Sequence, residues 1–88
     1  ACDRMAGQGI RPALLVVDTI FSSDGVLPDP AGFLTPAAAA IRKAGGLFLA
    51  DEVQPGFGRT GSHMWGFGRH GLIPDMVSLG KPMGNGYP

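Results

Sequence analysis

Residues 35–51, TPAAAAIRKAGGLFLAD, read as a helix, a stop and a buried strand. Thr35 is the expected N-cap, with Pro36 in the first helical position, where a missing N–H breaks no bond. Ala37 to Ala44 continue the helix. Arg42 and Lys43 fall in its last turn, where cations face the negative end of the helix dipole, and Gly45-Gly46 ends it. Leu47-Phe48-Leu49-Ala50 then runs apolar without alternation, as a strand covered on both faces does. Asp51 stands at its C-terminal end.

The chain on either side repeats the theme. Upstream, Ala13-Leu14-Leu15-Val16-Val17-Asp18 follows Arg11-Pro12 and is a second buried-strand run ending in an acid. Ser22-Ser23-Asp24-Gly25 is turn chemistry, and Pro28-Asp29-Pro30 keeps the chain extended or turning. Downstream, Pro55 to Gly71 is glycine-rich and irregular. Met76-Val77-Ser78-Leu79 is a third short strand that delivers Gly80-Lys81, and Pro82 to Pro88 reads as a loop. Strand, helix, strand, irregular crossover, strand is an α/β pattern. The first two strands are expected to be parallel neighbours through a right-handed crossover. The irregular last connection leaves the third strand's direction open. No internal repeat or linker divides the chain.

Bulk composition narrows the function classes. At 88 residues there is room for one small domain, which buries only ~60% of its unfolded surface. Seven basic residues balance seven acidic ones, which argues against nucleic acid or a membrane surface as partner. One cysteine, Cys2, excludes an intrachain disulfide and reads as an exposed free thiol. Glycine and proline are abundant, at fifteen and eight, yet 44% of residues are hydrophobic and fall in compact runs, which opposes disorder. The first nine residues lack the pattern of a signal peptide, and no apolar run nears the ~20 residues of a membrane span. A cytoplasmic location is the expectation.

Ligands in open α/β sheets bind near strand ends, and three such ends carry Asp18, Asp51 and Lys81. An acid facing a pyridine nitrogen keeps that nitrogen protonated, and a partly desolvated lysine can condense with an aldehyde. On spacing alone, ion pairing or plain solvation of these ends is the commoner outcome.

The words around those residues are more specific. Asp51-Glu52-Val53-Gln54-Pro55-Gly56-Phe57-Gly58-Arg59-Thr60-Gly61 resembles the D-E-V-Q-x-G-x-G-R-T-G segment of class III aminotransferases, which depend on pyridoxal 5′-phosphate. Met64-Trp65-Gly66-Phe67 is similar to the aromatic stretch that follows it. Gly71-Leu72-Ile73-Pro74-Asp75-Met76-Val77-Ser78-Leu79-Gly80-Lys81 resembles the approach to the family's cofactor lysine, and Pro82-Met83-Gly84-Asn85-Gly86-Tyr87-Pro88 the loop after it. The segment from Ala13 to Pro36 fits more loosely.

The resemblance implies that the mainly parallel sheet, with flanking helices, is part of a fold type I large domain. Residues 1–88 would then be the central, incomplete segment of one such domain. It assigns Asp51 to the pyridinium nitrogen, Val53 to a face of the ring, Gln54 to the ring's 3-oxygen and Lys81 to a Schiff base. The implied reaction is transamination between an amino donor and a 2-oxo acid or aldehyde. The implied assembly is a homodimer or higher homo-oligomer. Phosphate-anchoring and substrate-carboxylate residues of the family have no counterpart here, so the isolated chain is expected to be inactive. One departure is Asp18-Thr19-Ile20-Phe21-Ser22-Ser23, where the family often has Glu-Pro before Q-G or Q-S. This resembles the branch containing alanine–glyoxylate aminotransferase-like proteins and amino-alcohol phosphate phospholyases. A phospholyase on the same site and a silent fragment with a folding or association role are therefore the alternatives.

Other residues read more plainly. His63 and His70 are expected at the surface or in loops, since no carboxylate or cysteine cluster accompanies them and no metal is implied. Gly80-Lys81-Pro82 lacks the spacing and hydroxyl of a phosphate loop. Arg59 reads as a structural arginine ordering the crossover, and Trp65 and Phe67 as core aromatics. Glu52 is either a partner behind Asp51 or a solvated side chain.

Overall fold

A computed structural model describes residues 1–87. Its elements are α1 (Cys2–Gly7), β1 (Leu14–Asp18), α2 (Thr35–Lys43), β2 (Leu47–Asp51) and β3 (Met76–Ser78). Short 3-10 turns lie at Ser22–Asp24, Gly66–His70 and Lys81–Gly84. The strands form one parallel sheet in the order β1-β2-β3, so the direction left open for the third strand is parallel. Asp18 lies opposite Asp51, and Asp51 opposite Ser78. All three strands therefore deliver their C-terminal ends to one edge.

α2 occupies the expected stretch, but Thr35 does not cap it. Leu34 takes the N-cap position, without a side-chain bond, and Thr35 is already the first helical residue. From there its hydroxyl donates to the carbonyl of His70, 3.0 Å away, tying the helix start to the crossover. At the other end Gly45 adopts φ +87°, and its N–H reaches Arg42 O at 2.9 Å. The chain then turns directly into β2.

Side chains alternate between the two faces of the sheet. Leu15, Val17, Phe48 and Ala50 take the face on which Leu34, Ala38 and Ile41 pack, and Leu72 completes this core. The opposite face carries Leu14, Val16, Leu47 and Met76, with Val16 56% and Leu47 47% exposed. Both faces were expected to be covered; the described residues cover one. The isolated chain should therefore self-associate, through the open apolar face and the unpaired outer strands. Sedimentation should find oligomers or aggregates. A cooperatively folded monomer at high concentration would contradict this account of the face.

Asp75 fastens the start of β3 to β2. Its Oδ2 accepts from Phe48 N–H at 2.8 Å and from Arg42 Nη2 at 3.3 Å, and its own N–H reaches Phe48 O. The Phe48 N–H is the main reason the carboxyl is held below the ordinary aspartate range; the Arg42 cation adds to this and burial opposes it. A lowered folded-state pKa gives stability that is full above the ordinary value and is lost as pH falls through the lowered one. In full-length protein, the stability gap to Asp75→Asn should be open at neutral pH and close in acid. Denaturant titrations at the two pH values check this, and a gap that persists in acid would count against it.

Candidate active site

At the shared strand edge, Asp51 is half-buried and its Oδ1 accepts from the N–H of Val53 at 3.0 Å. Among the described residues, Oδ2 has no hydrogen-bond partner and Asp51 joins no ion pair. One carboxylate oxygen is pinned and the other stays available.

The lysine segment arrives beside it. Glu52 N–H donates to Ser78 O at 2.9 Å, extending the β2–β3 ladder by one step. A Cβ placed on Gly80 would lie 3.6 Å from Val53 Cγ2, an ordinary van der Waals contact. The Asp51-Val53 and Gly80-Lys81 segments thus converge. Gly80 is extended, and Lys81 turns to φ +44°, a left-handed conformation uncommon for a residue with a Cβ. Lys81 is exposed, as is Gln54. Asp18, the third strand-end group, is engaged elsewhere: it accepts from Ile20 N–H at 3.0 Å, Ser22 N–H at 2.9 Å and the Ser22 hydroxyl. Those bonds shape the turn after β1.

Two ionisable side chains behind this edge are buried. Glu52 is fully buried, which excludes solvation. Its Oε2 accepts from Gly66 N–H at 2.7 Å, and its Oε1 from Phe67 N–H at 2.8 Å and Thr19 Oγ1 at 3.3 Å. His70, expected at the surface or in a loop, lies in the crossover's 3-10 turn but is buried as well. Its Nδ1 accepts from Gly32 N–H at 3.0 Å, so the ring proton sits on Nε2, which donates to Thr19 O at 2.8 Å. Burial is tolerated because both ring nitrogens are satisfied. Phe33 meets the same ring edge-on, with centroids 4.7 Å apart. His63 is exposed beside Ser62, as expected. No group of three metal-capable side chains occurs among the described residues.

The crossover is laced from within. Arg59 donates through Nε to Gly56 O at 2.8 Å and through Nη2 to Val53 O at 2.6 Å, the structural part expected of it. Trp65 is half-buried and meets Phe57 edge-on at 5.1 Å, while Phe67 packs against the core.

An acid with a free oxygen, an amine and a branched aliphatic side chain on one sheet edge suit a flat aromatic aldehyde with a ring nitrogen. The acid can hold the ring proton, the amine can condense with the aldehyde, and Val53 offers an apolar surface. That donor set fits pyridoxal phosphate.

Known proteins agree in pattern. The profile of the family described as aminotransferase class-III matches residues 9–88. Alanine–glyoxylate aminotransferase 2-like from Drosophila melanogaster is 44% identical over 87 residues, which make up 99% of this chain and 18% of that protein. Human mitochondrial alanine–glyoxylate aminotransferase 2 is 52% identical over 65 residues, or 74% of this chain and 13% of the human one. A solved phospholyase from Arthrobacter, in complex with phosphoethanolamine, superposes with a TM-score of 0.88 at 44% identity, covering 99% of this chain and 21% of that one. The chain thus spans no more than about a fifth of the length of these relatives.

Proposed function

The chain belongs to the class-III aminotransferase family, and from that premise we propose that it is the central part of the large domain of a pyridoxal-phosphate transaminase. The proposed reaction moves an amino group between a small amino donor and a 2-oxo acid or aldehyde. The observation that carries this is the convergence of Asp51, Val53 and Lys81 at one edge of a parallel sheet.

When bound, pyridoxal phosphate supplies an electron-withdrawing ring that acidifies the substrate Cα–H. Asp51 holds the ring nitrogen's proton through its free Oδ2, while the Val53 N–H fixes Oδ1. Val53 would offer its branched side chain to one face of the ring, and Gln54, exposed at the same edge, would hydrogen-bond the ring's 3-oxygen. Lys81 Nζ would hold the cofactor covalently through its aldehyde carbon. Once freed and neutral, it would carry a proton between the substrate Cα and the cofactor's aldehyde carbon. The left-handed backbone at Lys81 supports such a role, because conformations of this kind persist where the surroundings over-determine them.

A second reaction on the same site, phospholyase elimination, is favoured by the likeness to the Arthrobacter enzyme. Full-length protein loaded with pyridoxal phosphate separates the two. Amino transfer from alanine to glyoxylate without phosphate release marks a transaminase. Phosphate and ammonia released from phosphoethanolamine without an acceptor mark a lyase. No amino transfer from a panel of small amino donors to 2-oxo acid and aldehyde acceptors, together with no phosphate release, would sink both readings and leave a folding or association role. A homodimer or larger homo-oligomer is proposed on family grounds, testable by sedimentation of the full-length protein. The human relative is named mitochondrial, whereas composition leads us to propose the cytoplasm; cell fractionation decides.

A further inference from the structure

The geometry points to Glu52 as a positioning residue that aims the Asp51 carboxylate, an inference that rests on the proposed role of Asp51. Side-chain alternation sends Asp51 and its neighbour to opposite faces of the sheet, so the Glu52 carboxylate never meets the cofactor edge. Glu52 is instead fixed from every direction. Its N–H is bound to Ser78 O at 2.9 Å, and its carbonyl accepts from Gly56 N–H at 2.9 Å. Its carboxylate takes three donors, from Gly66, Phe67 and Thr19.

The consequence falls on the residues at either side. Asp51 Oδ1 is held by the Val53 N–H, so the peptide between them sets the direction of the carboxylate. Glu52 is the middle residue of that link. With its side chain locked to the 3-10 turn Gly66–His70, the link cannot rotate, and Oδ2 keeps one heading. Thr19 brings in the exit of β1, because its carbonyl is in turn bound by His70 Nε2. The network therefore ties the ends of β1 and β2 and the crossover into one support for a single carboxylate. Such supports act through geometry, and their loss costs on the order of ten- to hundredfold in activity or affinity.

Glu52→Gln tests this in the full-length holoenzyme. Glutamine keeps the size but brings an amide NH2 to a pocket whose donors are backbone N–H groups, so one of them loses its acceptor. Nitrogen-15 NMR of pyridoxal phosphate labelled at its ring nitrogen reports that atom's protonation directly. The expected result is bound cofactor, a ring-nitrogen signal moved toward the unprotonated position, and kcat down about ten- to hundredfold with KM little changed. A lowered melting temperature with a native nitrogen signal and native kcat would make Glu52 a structural stitch only, and overturn the proposal. If Glu52→Gln does not fold, Thr19→Val, which removes one donor, should move the signal part of the way while Thr19→Ser leaves it in place. A native signal in Thr19→Val overturns the proposal equally. Asp51→Asn separates the two levels. If it shifts the nitrogen signal and Glu52→Gln does not, only the role of Glu52 falls; if Asp51→Asn gives a native signal, the reading of the site falls and this proposal with it.

Discussion

In the full-length protein, Asp51→Asn should retain pyridoxal phosphate and lose about a thousandfold in turnover, whereas Lys81→Ala should lose the covalent link altogether. The two outcomes separate activating the cofactor from holding it. Asparagine can still accept the Val53 N–H and hydrogen-bond a ring nitrogen, so binding survives. It has no charge with which to keep that nitrogen protonated, so negative charge developing at the substrate carbon loses its sink. A barrier raised by about 4 kcal/mol corresponds to that thousandfold. Lys81→Ala removes the anchor and the proton carrier together, and added amines should not restore full activity. Steady-state kinetics with mass spectrometry after borohydride reduction would measure both effects. Near-normal turnover in the Asp51→Asn protein would remove Asp51 from the mechanism.

Much of the positioning framework was legible in residues 13–51, and the reason is local. Uninterrupted apolar runs, a proline-led alanine helix and a Gly-Gly stop each report on their own neighbourhood, and β1, α2 and β2 appear where those signals lie. The direction of β3 was not legible, because the long irregular crossover has no period to define it. α1 was missed for a related reason: six residues carry too few turns to show a helical stripe, and none of them is buried. The bond made by Thr35 and the burial of His70 were not legible because their partners are far along the chain. Thr35 Oγ1 meets His70 O 35 residues away, and His70 Nε2 meets Thr19 O 51 residues away. Glu52 had a usable signal. Phe48, Ala50 and Glu52 share one parity, as do Leu15, Val17 and Thr19, and the register pairing Asp18 with Asp51 brings Thr19 level with Glu52. Extending the strands by one residue would have placed Glu52 on the covered face.

The crowding around that carboxylate sets the second large effect, Gly66→Ala. A Cβ at Gly66 would collide with Thr19 Oγ1 and lie 2.7 Å from Pro55 Cβ, closer than real Cβ contacts come. Neither neighbour can move aside, since Thr19 and Pro55 are both fully buried. The remaining way to relieve the clash is to push the 3-10 turn outward, and that draws the Gly66 and Phe67 N–H groups away from Glu52. Overpacking costs about 1–3 kcal/mol, and lost hydrogen bonds to a buried charged group add about 1.5–3 kcal/mol. Their sum, about 2.5–6 kcal/mol, is a large part of the stability of an ordinary domain. Gly7→Ala serves as the comparison, because a Cβ there meets nothing within 4 Å and the residue ends the exposed helix α1. Full-length Gly66→Ala should melt many degrees lower or fail to accumulate in soluble form, with Gly7→Ala close to the unsubstituted protein. Equal melting temperatures for the two variants would show that the crossover yields around Gly66, and that the carboxylate behind Asp51 is held less firmly than its three donors imply.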